Sequence, residues 1–351
     1  MLKSNSLGYS VYVSTWEKLK EELSSRFCEG SFVFTSLHIE EEIKSDHYAQ
    51  EVENMLQSLK TMGYKLLVDV SPRTLQALSL NSFEQLVHTY HIDVLRADFG
   101  FTLEDLIKLS QSVSLCVNAS MNEAGLQTLI KKAKFPIVAM HNFYPRVETG
   151  LDLSQFNEKN KPYNAMNIPV FAFIPSDIMK RGPIHEGLPT CEVHRDGSLL
   201  KAVVELKQNG VDGVVVGDGV CSEKMTQLCQ TFLQDEVLSL PIQVDSKFEF
   251  LYNQVMTIRS DSPSAVCRCL ESRLYATAGQ TIEPFNCISR HKGSITMDNK
   301  KYLRYSGEIQ ILKQDFKADE RVNVIGKILD HTLLDLISPG MKVKFTRGEQ
   351  E

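Results

Sequence analysis

The segment FPIVAMHNFYPR, residues 135–146, decides how this chain is expected to fold. It begins with a continuous apolar run, IVAM, and ends in polar and aromatic side chains that include His141, Asn142, Tyr144 and Arg146. An unbroken apolar run is typical of a parallel strand that is buried on both faces. Where such a strand ends, the fold can hold reactive side chains on a rigid edge. The segment therefore predicts a buried strand that carries functional groups at its carboxyl end.

The same pattern occurs seven more times, and helical patterns separate the copies. The eight predicted strands cover residues 7–13, 32–39, 64–71, 94–100, 114–120, 135–144, 168–176 and 211–217. Eight strands that alternate with helices indicate an α/β protein of the (β/α)₈ or TIM-barrel type. A doubly wound open sheet is the alternative, but it usually has fewer strands, and no glycine-rich dinucleotide turn follows the first strand.

The character of the sequence changes near residue 245, where short β runs separated by turn residues replace the alternating pattern. These runs are FEFLYNQVMTIR, GSITMD, EIQILK, RVNVIGKI and MKVKFTR. They predict a small all-β, barrel-like domain. We therefore expect two domains, a catalytic (β/α)₈ barrel at residues 1–244 and a β domain at residues 245–351.

Composition limits the possible partners and the compartment. The chain has 351 residues, 42% of them hydrophobic, and a net charge of −6, which argues against a general attraction to nucleic acid. No apolar run is long enough to span a bilayer, and the start, MLKSNSLGYSVYV, is a poor signal peptide. The eight scattered cysteines are typical of reduced thiols in a cytosol. We expect a cytoplasmic protein without nucleic-acid or membrane partners, and a homodimer is left open.

Polar side chains occupy the ends of six predicted strands. Because side chains alternate along a strand, residues two positions apart share a face. The resulting sets are Ser36 with His38, Asp69 with Ser71, Arg96 with Asp98, Asn118 with Ser120, Asn142 with Tyr144 and Arg146, and Val216 with Asp218. Desolvating so many polar groups has no structural use, so the pattern predicts an active site at one mouth of the barrel.

The residue types favour one chemistry over three others. His38, Asp69, Asp98 and His141 can converge, but they lack the usual metal-ligand spacings, and no metal or other cofactor is expected. No lysine lies at a predicted strand end for a Schiff base, and no G-x-S-x-G motif marks a nucleophilic serine. Paired carboxylates among amide and hydroxyl groups suit glycoside hydrolysis.

Carboxylates on the strands and on one long loop are the catalytic candidates. Asp98 shares a strand face with Arg96, which is expected to lower its pKa and keep it ionised as nucleophile, base or stabiliser. Asp69 is an alternative partner on the neighbouring strand. Glu186 and Glu192 lie on a loop where partial desolvation would raise a carboxyl pKa, which suits a proton donor.

That loop, RGPIHEGLPTCEVHR at residues 181–195, also carries two arginines. A planar guanidinium binds phosphate or carboxylate through two hydrogen bonds, so Arg181, with Arg195 or Arg146 as a helper, is the predicted site for an anionic substituent. The candidate substrate-binding residues are His38, Arg96, Asn118, His141, Asn142, Tyr144, Arg146, Arg181, His194, Arg195 and Asp218.

Several motifs resemble one bacterial family, once labelled an outer surface family, whose characterised activity is 6-phospho-N-acetylmuramidase (MupG). They are FTSLHI, LRADFGF, HNFYPR, RGPIHEGLPTCEVHR, GSITMDNKKYLRYSGEIQI and RVNVIGKI, and the similarity spans residues 7–345. The resemblance implies a barrel followed by a cyclophilin-like β domain. It also implies cytoplasmic hydrolysis of a 6-phosphorylated N-acetylmuramyl–N-acetylglucosamine disaccharide to N-acetylmuramic acid 6-phosphate and N-acetylglucosamine, in peptidoglycan recycling.

Two other functions stay open from the residues alone. One is a non-hydrolytic module that binds a sugar phosphate or a peptide, with the β domain as its working part. The other is a barrel lyase acting on a sugar phosphate. Such a lyase would require a lysine at a strand end or a clear set of three metal ligands.

Overall fold

A computed structural model gives the fold and describes residues 2–273 and 281–348. The chain divides into two compact units, Met1–Leu233 and Gln234–Glu351. This division precedes the predicted boundary at residue 244, because Val237–Val244 forms a strand that pairs with two strands of the second unit. The sequence had not indicated this strand, because the second domain was recognised only from the short β runs that follow residue 245.

The first unit is a closed barrel of eight parallel strands, so the predicted (β/α)₈ fold is confirmed. Each strand pairs with the next along the chain, and the first pairs with the eighth. The strands are β1 (Ser6–Ser10), β2 (Phe32–Ser36), β3 (Lys65–Val70), β4 (Val94–Ala97), β5 (Leu115–Asn118), β6 (Ile137–Met140), β7 (Val170–Ile174) and β8 (Gly213–Val216).

Helices connect these strands in the order expected of alternating β and α segments. They are α1 (Val13–Arg26), α2 (Glu40–Ile43), α3 (Tyr48–Thr61), α4 (Pro72–Ala77), α5 (Phe83–Tyr90), α6 (Leu103–Leu109), α7 (Glu123–Lys132), α8 (Leu153–Ala165), α9 (Leu199–Gln208) and α10 (Glu223–Asp235). Thr102 caps the start of α6, since the N–H of Asp105 donates to the Thr102 hydroxyl at 3.2 Å.

Phenylalanine rings fill the interior of the barrel below its polar mouth. Phe32 and Phe171 meet edge to face, with ring centroids 5.4 Å apart. Glycines make room for these rings: a Cβ on Gly8 would lie 2.5 Å from the Phe32 ring, and one on Gly213 would lie 2.3 Å from the Phe171 ring. The apolar layers close the barrel interior, so the chemistry is confined to the carboxyl ends of the strands.

The second unit is built on a seven-stranded sheet, which confirms the predicted β-rich domain. The order is β10-β15-β9-β14-β12-β13-β11, and β9 and β15 pair in parallel. The elements are β9 (Val237–Val244), β10 (Val255–Thr257), β11 (Val266–Arg268), β12 (Ser294–Asp298), β13 (Ile309–Leu312), β14 (Val322–Ile328), α11 (His331–Leu334) and β15 (Lys342–Arg347).

Part of one predicted β run in this unit is helical instead. Ser246–Leu251 forms a short 3-10 helix, and the strand begins only at Val255. The Asp245 carboxylate accepts the N–H of Lys247 at 3.0 Å, which starts a helical turn where the side-chain pattern had indicated a strand. In the part of the chain that is described, no helix combines the length and the apolar character that a membrane span requires.

Candidate active site

The carboxyl ends of the barrel strands surround a cavity of about 1080 Å³. The predicted residues that line it are His38, Asp69, Arg96, Asp98, Asn142, Tyr144 and Arg181. Asn118 lies beside this group, because its Nδ2 donates to Asn142 Oδ1 at 3.4 Å. The structure therefore brings together residues from five successive strands, as the alternation along each strand had predicted.

Arg96 is the centre of the polar network. Its Nη1 donates to Asp69 Oδ1 at 2.6 Å and to Asp98 Oδ1 at 2.9 Å, and its Nη2 donates to Asn142 Oδ1. Val94, two residues earlier on β4, belongs to the apolar barrel core, and the two-residue period places Arg96 above it on the same face. Arg96 is buried, so these hydrogen bonds must compensate the loss of its hydration.

His38 approaches the same two carboxylates from the end of β2. Its Nε2 lies 3.5 Å from Asp98 Oδ2 and 3.8 Å from Asp69 Oδ2. The other ring nitrogen, Nδ1, lies 3.3 Å from the Ser36 hydroxyl, and the ring meets Phe99 edge to face. His38 and Arg96 thus hold the carboxylate pair between two donors.

The environment moves the pKa values of this pair in opposite directions. Burial raises the pKa of Asp69 above its usual value, although the Arg96 charge acts against this shift. The hydrogen bond with His38 lowers the pKa of Asp98 despite partial burial, and Arg96 adds to the lowering. The predicted depression of the Asp98 pKa is therefore confirmed in direction, although its main cause is His38 and not Arg96. Burial lowers the pKa of His38. The hydrogen bond with Asp98 and the negative charges of Asp69 and Asp98 together raise it by more, so the net shift is upward.

The same three residues form a set that could hold a metal ion. One ligand atom each from His38, Asp69 and Asp98 lies within 4.8 Å of the others, and no second such set occurs within residues 2–273 and 281–348. However, the Arg96 guanidinium already places a positive charge between the two carboxylates. We interpret the set as an ion-pair network that keeps the two carboxylates in position.

Arg181 forms a second polar area of the cavity. Its guanidinium carbon lies 3.4 Å from the centroid of the Tyr12 ring, a stacked arrangement that holds the guanidinium plane in place. Within the described residues, no carboxylate forms an ion pair with Arg181. A cation that is held by an aromatic ring and faces a cavity is suited to an anionic group of a ligand.

The rest of the long loop has structural contacts that the sequence did not reveal. Arg195 binds the Glu192 carboxylate through Nε at 2.6 Å and Nη2 at 2.7 Å, and its Nη groups donate to the carbonyls of Gly187 and Tyr144. Glu192 also accepts the N–H of Gly150 at 2.8 Å. The Arg195 hydrogen bond lowers the pKa of Glu192 to about 2, so the expectation of a raised pKa at this residue is wrong.

Asp218 also holds the loop and does not line the cavity. Its carboxylate accepts the backbone N–H groups of Ser176 and Arg181 at 2.9 Å each, and that of Leu188 at 3.3 Å. Glu186 and Arg146 are exposed and lie outside the cavity lining as well. Asp218 therefore contributes by fixing the backbone that carries Arg181.

Neither His141 nor His194 reaches the cavity. His141 is buried against Phe156 of α8, and its Nε2 lies 2.7 Å from Asn160 Oδ1. Burial lowers its pKa to about 4, so this imidazole is neutral at physiological pH. His194 lies 3.0 Å from Glu205 Oε2 on α9. Since His141 precedes Asn142 in the chain, the alternation of side chains at the strand end turns it away from the barrel interior.

Other cavity residues were missed in the sequence. Tyr12 follows β1, and Glu42 lies on the short helix α2. Glu42 is buried, and its Oε1 accepts hydrogen bonds from the backbone N–H and the hydroxyl of Ser14. Tyr12 could have been predicted from the sequence, because it stands two residues after Ser10 and therefore on the same, barrel-facing side. Nothing in the run of three glutamates at the start of α2 distinguishes Glu42 from its neighbours.

Comparison with known proteins gives consistent matches over nearly the whole chain. A family model described as 6-phospho-N-acetylmuramidase, N-terminal, matches residues 7–231, and its C-terminal counterpart matches residues 238–346. A solved structure of a conserved protein of unknown function from Enterococcus faecalis is 31% identical, with a TM-score of 0.76, and the match covers 97% of this chain and 96% of that chain. An uncharacterized B. cereus protein is 22% identical with a TM-score of 0.80, over 99% of this chain and 100% of that one, which supports the fold alone.

No curated protein matches the chain. The family models cover both the barrel that carries the carboxylate pair and the β-rich unit that follows it. On that evidence, the chain belongs to the 6-phospho-N-acetylmuramidase family, a family of glycoside hydrolases.

Proposed function

We propose that this protein hydrolyses 6-phospho-N-acetylmuramyl–N-acetylglucosamine to N-acetylmuramic acid 6-phosphate and N-acetylglucosamine. Family membership supports a glycosidase, and the finer choice of substrate is our inference. The setting would be the cytoplasmic recycling of peptidoglycan, and the reaction requires no cofactor. The observation that carries the proposal is a pair of acidic side chains, Asp69 and Asp98, held together by one buried arginine in a large cavity.

Asp98 is the carboxylate that we assign to the developing positive charge at the anomeric carbon. Its pKa is lowered, so it is ionised at neutral pH, and it is more exposed to the cavity than Asp69. An oxocarbenium-like transition state is stabilised by such a negative charge. Asp98 can act as nucleophile, as base toward water, or as the group that orients the 2-acetamido substituent, and Asp69 together with Arg96 holds it in place.

Arg181 is the residue that we assign to the 6-phosphate. It lines the same cavity as Asp98, and Tyr12 orients its guanidinium. A phosphate dianion in a partly buried pocket needs a charge-assisted donor of this kind. The exposed position of Arg146 and the paired state of Arg195 leave Arg181 as the arginine best placed for this role.

The lyase alternative receives less support. A Schiff base needs a lysine near the substrate carbonyl, and among the described residues none of the side chains that line the cavity is a lysine. The decisive experiment incubates the purified full-length protein with the disaccharide, with and without its 6-phosphate, and measures the reducing sugar released. We expect release from the phosphorylated substrate at a much higher kcat/KM. Equal rates on both substrates would contradict the phosphate assignment, and no release from either would contradict the glycosidase.

A further inference from the structure

Glu42 carries a buried oxygen that has no hydrogen-bond partner within residues 2–273 and 281–348. Its side chain is 8% exposed, and while Oε1 accepts the N–H of Ser14 at 3.0 Å, Oε2 has no hydrogen-bond donor among the described residues. No lysine, arginine or histidine within these residues pairs with Glu42 either. Leaving a buried polar atom unpaired is unfavourable, so such an atom calls for an explanation.

The location of Glu42 suggests what completes its hydrogen bonding. It lines the same cavity as Asp69 and Asp98. Tyr12 is close enough to Asp69, Arg181 and Glu42 for their charges to affect its pKa. Burial raises that pKa to about 12, Arg181 acts against the shift, and the charges of Asp69 and Glu42 add to it. Glu42 therefore lies within electrostatic range of the ring that orients Arg181. A ligand that fills the cavity would lie against the Glu42 side chain.

The two aspartates at the centre of the cavity already face cationic groups. Asp69 Oδ1 and Asp98 Oδ1 both face Arg96, and the Oδ2 atoms of the two residues face His38. Glu41 and Glu51 also line the cavity, but they are exposed and hydrated. Cleavage of a glycosidic bond needs a carboxyl that can present an O–H to the leaving oxygen. Among the buried carboxyls that line the cavity, only Glu42 has an oxygen that does not face a cationic donor.

We propose that Glu42 is the proton donor of the reaction, an inference that rests on the proposed glycosidase function. The carboxyl proton passes from Glu42 Oε2 to the glycosidic oxygen while the bond between that oxygen and the anomeric carbon breaks, with both electrons staying on the oxygen. A water oxygen then becomes bonded to the anomeric carbon, and the surplus proton of that water passes by way of Asp98 to solvent. Glu42 recovers its proton from solvent, which balances the cycle.

The substitution Glu42→Gln tests this role because it separates structure from chemistry. The amide oxygen of glutamine can still accept the hydrogen bonds of Ser14, so the link between α1 and α2 is retained. The amide cannot donate a proton to the leaving group. Glu40→Gln is the matched control, since Glu40 lies on the same short helix, is exposed, and lies outside the cavity lining.

The assay compares two substrates that share the 6-phosphorylated sugar and differ in the leaving group. One is the disaccharide, and the other is the 4-nitrophenyl glycoside of the same sugar. The sugar leaving group needs protonation, whereas nitrophenolate leaves readily without it. For Glu42→Gln we expect kcat/KM to fall by about 100-fold or more on the disaccharide and by less than about tenfold on the nitrophenyl glycoside. Glu40→Gln should resemble the unmodified protein on both, and thermal melting should show that Glu42→Gln is folded.

If Glu42→Gln lowers kcat/KM equally on the two substrates, the inference is overturned and Glu42 has a binding or structural role. If Glu42→Gln does not fold, Glu42→Asp, which keeps a carboxyl at a displaced position, is measured on the same pair of substrates. A larger loss on the disaccharide again supports proton donation, and equal losses again overturn it. Inactivity of the unmodified protein on both substrates would instead contradict the proposed function itself, so the two failures are distinguishable.

Discussion

Replacing Arg96 by methionine is the sharpest test of the network at the barrel mouth. Arg96 Nη1 lies 2.6 Å from Asp69 and 2.9 Å from Asp98, and Asp69 is only 5% exposed. Methionine fills a similar volume but leaves Asp69 buried without its cationic partner. Removing one partner of a buried ion pair typically lowers the free energy of unfolding by about 3–5 kcal/mol. At about 2–4 °C per kcal/mol for a domain of this size, the melting temperature should fall by roughly 6–20 °C.

The loss of stability should also depend on pH in a defined direction. Burial already raises the pKa of Asp69, and removing Arg96 takes away the charge that opposes this shift. A carboxyl with a higher pKa in the folded than in the unfolded state binds its proton more tightly when folded. Stability therefore falls as pH rises through the interval between the two pKa values. We expect the stability deficit of Arg96→Met to be largest at neutral pH and smaller near about pH 5.

Thermal unfolding followed by circular dichroism over that pH range measures the effect. The control is the double variant Arg96→Met/Asp69→Asn, which removes the buried charge together with its partner. Replacing both members of a buried pair is far less destabilising than removing one, so the double variant should recover at least half of the lost stability. A loss of less than about 1 kcal/mol for Arg96→Met, or no recovery in the double variant, would refute the view that Arg96 compensates a buried charge on Asp69.

Three further predictions concern separate parts of the site. Asp98→Asn should lower kcat by at least about 100-fold without a large change in melting temperature, and a loss below about tenfold would remove Asp98 from the mechanism. Arg181→Ala should raise KM for the 6-phosphorylated disaccharide by about 10-fold or more with a much smaller change in kcat, and an unchanged KM would contradict the phosphate role. The pKa of Glu192 is lowered to about 2 by Arg195, so this pair stabilises the fold above the unfolded pKa and loses its effect as pH falls toward 2. Glu192→Gln should therefore reduce the melting temperature at neutral pH and not in strong acid, with kcat nearly unchanged; a large loss of kcat in folded protein would restore Glu192 as a catalytic candidate.

The strand-end residues could be predicted because a strand has a fixed period. Once a run such as VLRADFG is recognised as a strand, the alternation of side chains puts Arg96 and Asp98 on one face, whatever the rest of the chain does. The closed barrel then brings the ends of neighbouring strands together, as the register of Asp69 opposite Arg96 shows. The same alternation places adjacent residues on opposite faces, which explains why His141 faces α8 while Asn142 faces the cavity.

The loop residues could not be predicted in this way. Residue type indicated that the loop contains charges suited to catalysis, but a loop has no period that tells which side chains point inward. Arg195 and Glu192 satisfy each other and several backbone groups, and Asp218 does the same for the backbone around Arg181. A long loop over a cavity has backbone N–H and C=O groups that need partners, and its charged side chains supply them. Charge in such a loop is therefore as much a requirement of its structure as a sign of chemistry.

Glu42 extends this argument to a short helix. The run EEEI of α2 offers three consecutive glutamates, and four residues are too few for a hydrophobic period to show which one turns inward. The structure makes that choice through contacts distant in sequence: Glu42 binds Ser14 in the first turn of α1, whereas Glu40 pairs with Arg73 at the surface. The functional orientation of a residue can thus be deduced from sequence where a regular strand fixes it. In loops and single helical turns it follows from tertiary contacts. There the informative feature is Oε2 of Glu42, which has no hydrogen-bond partner among the residues that the structure describes.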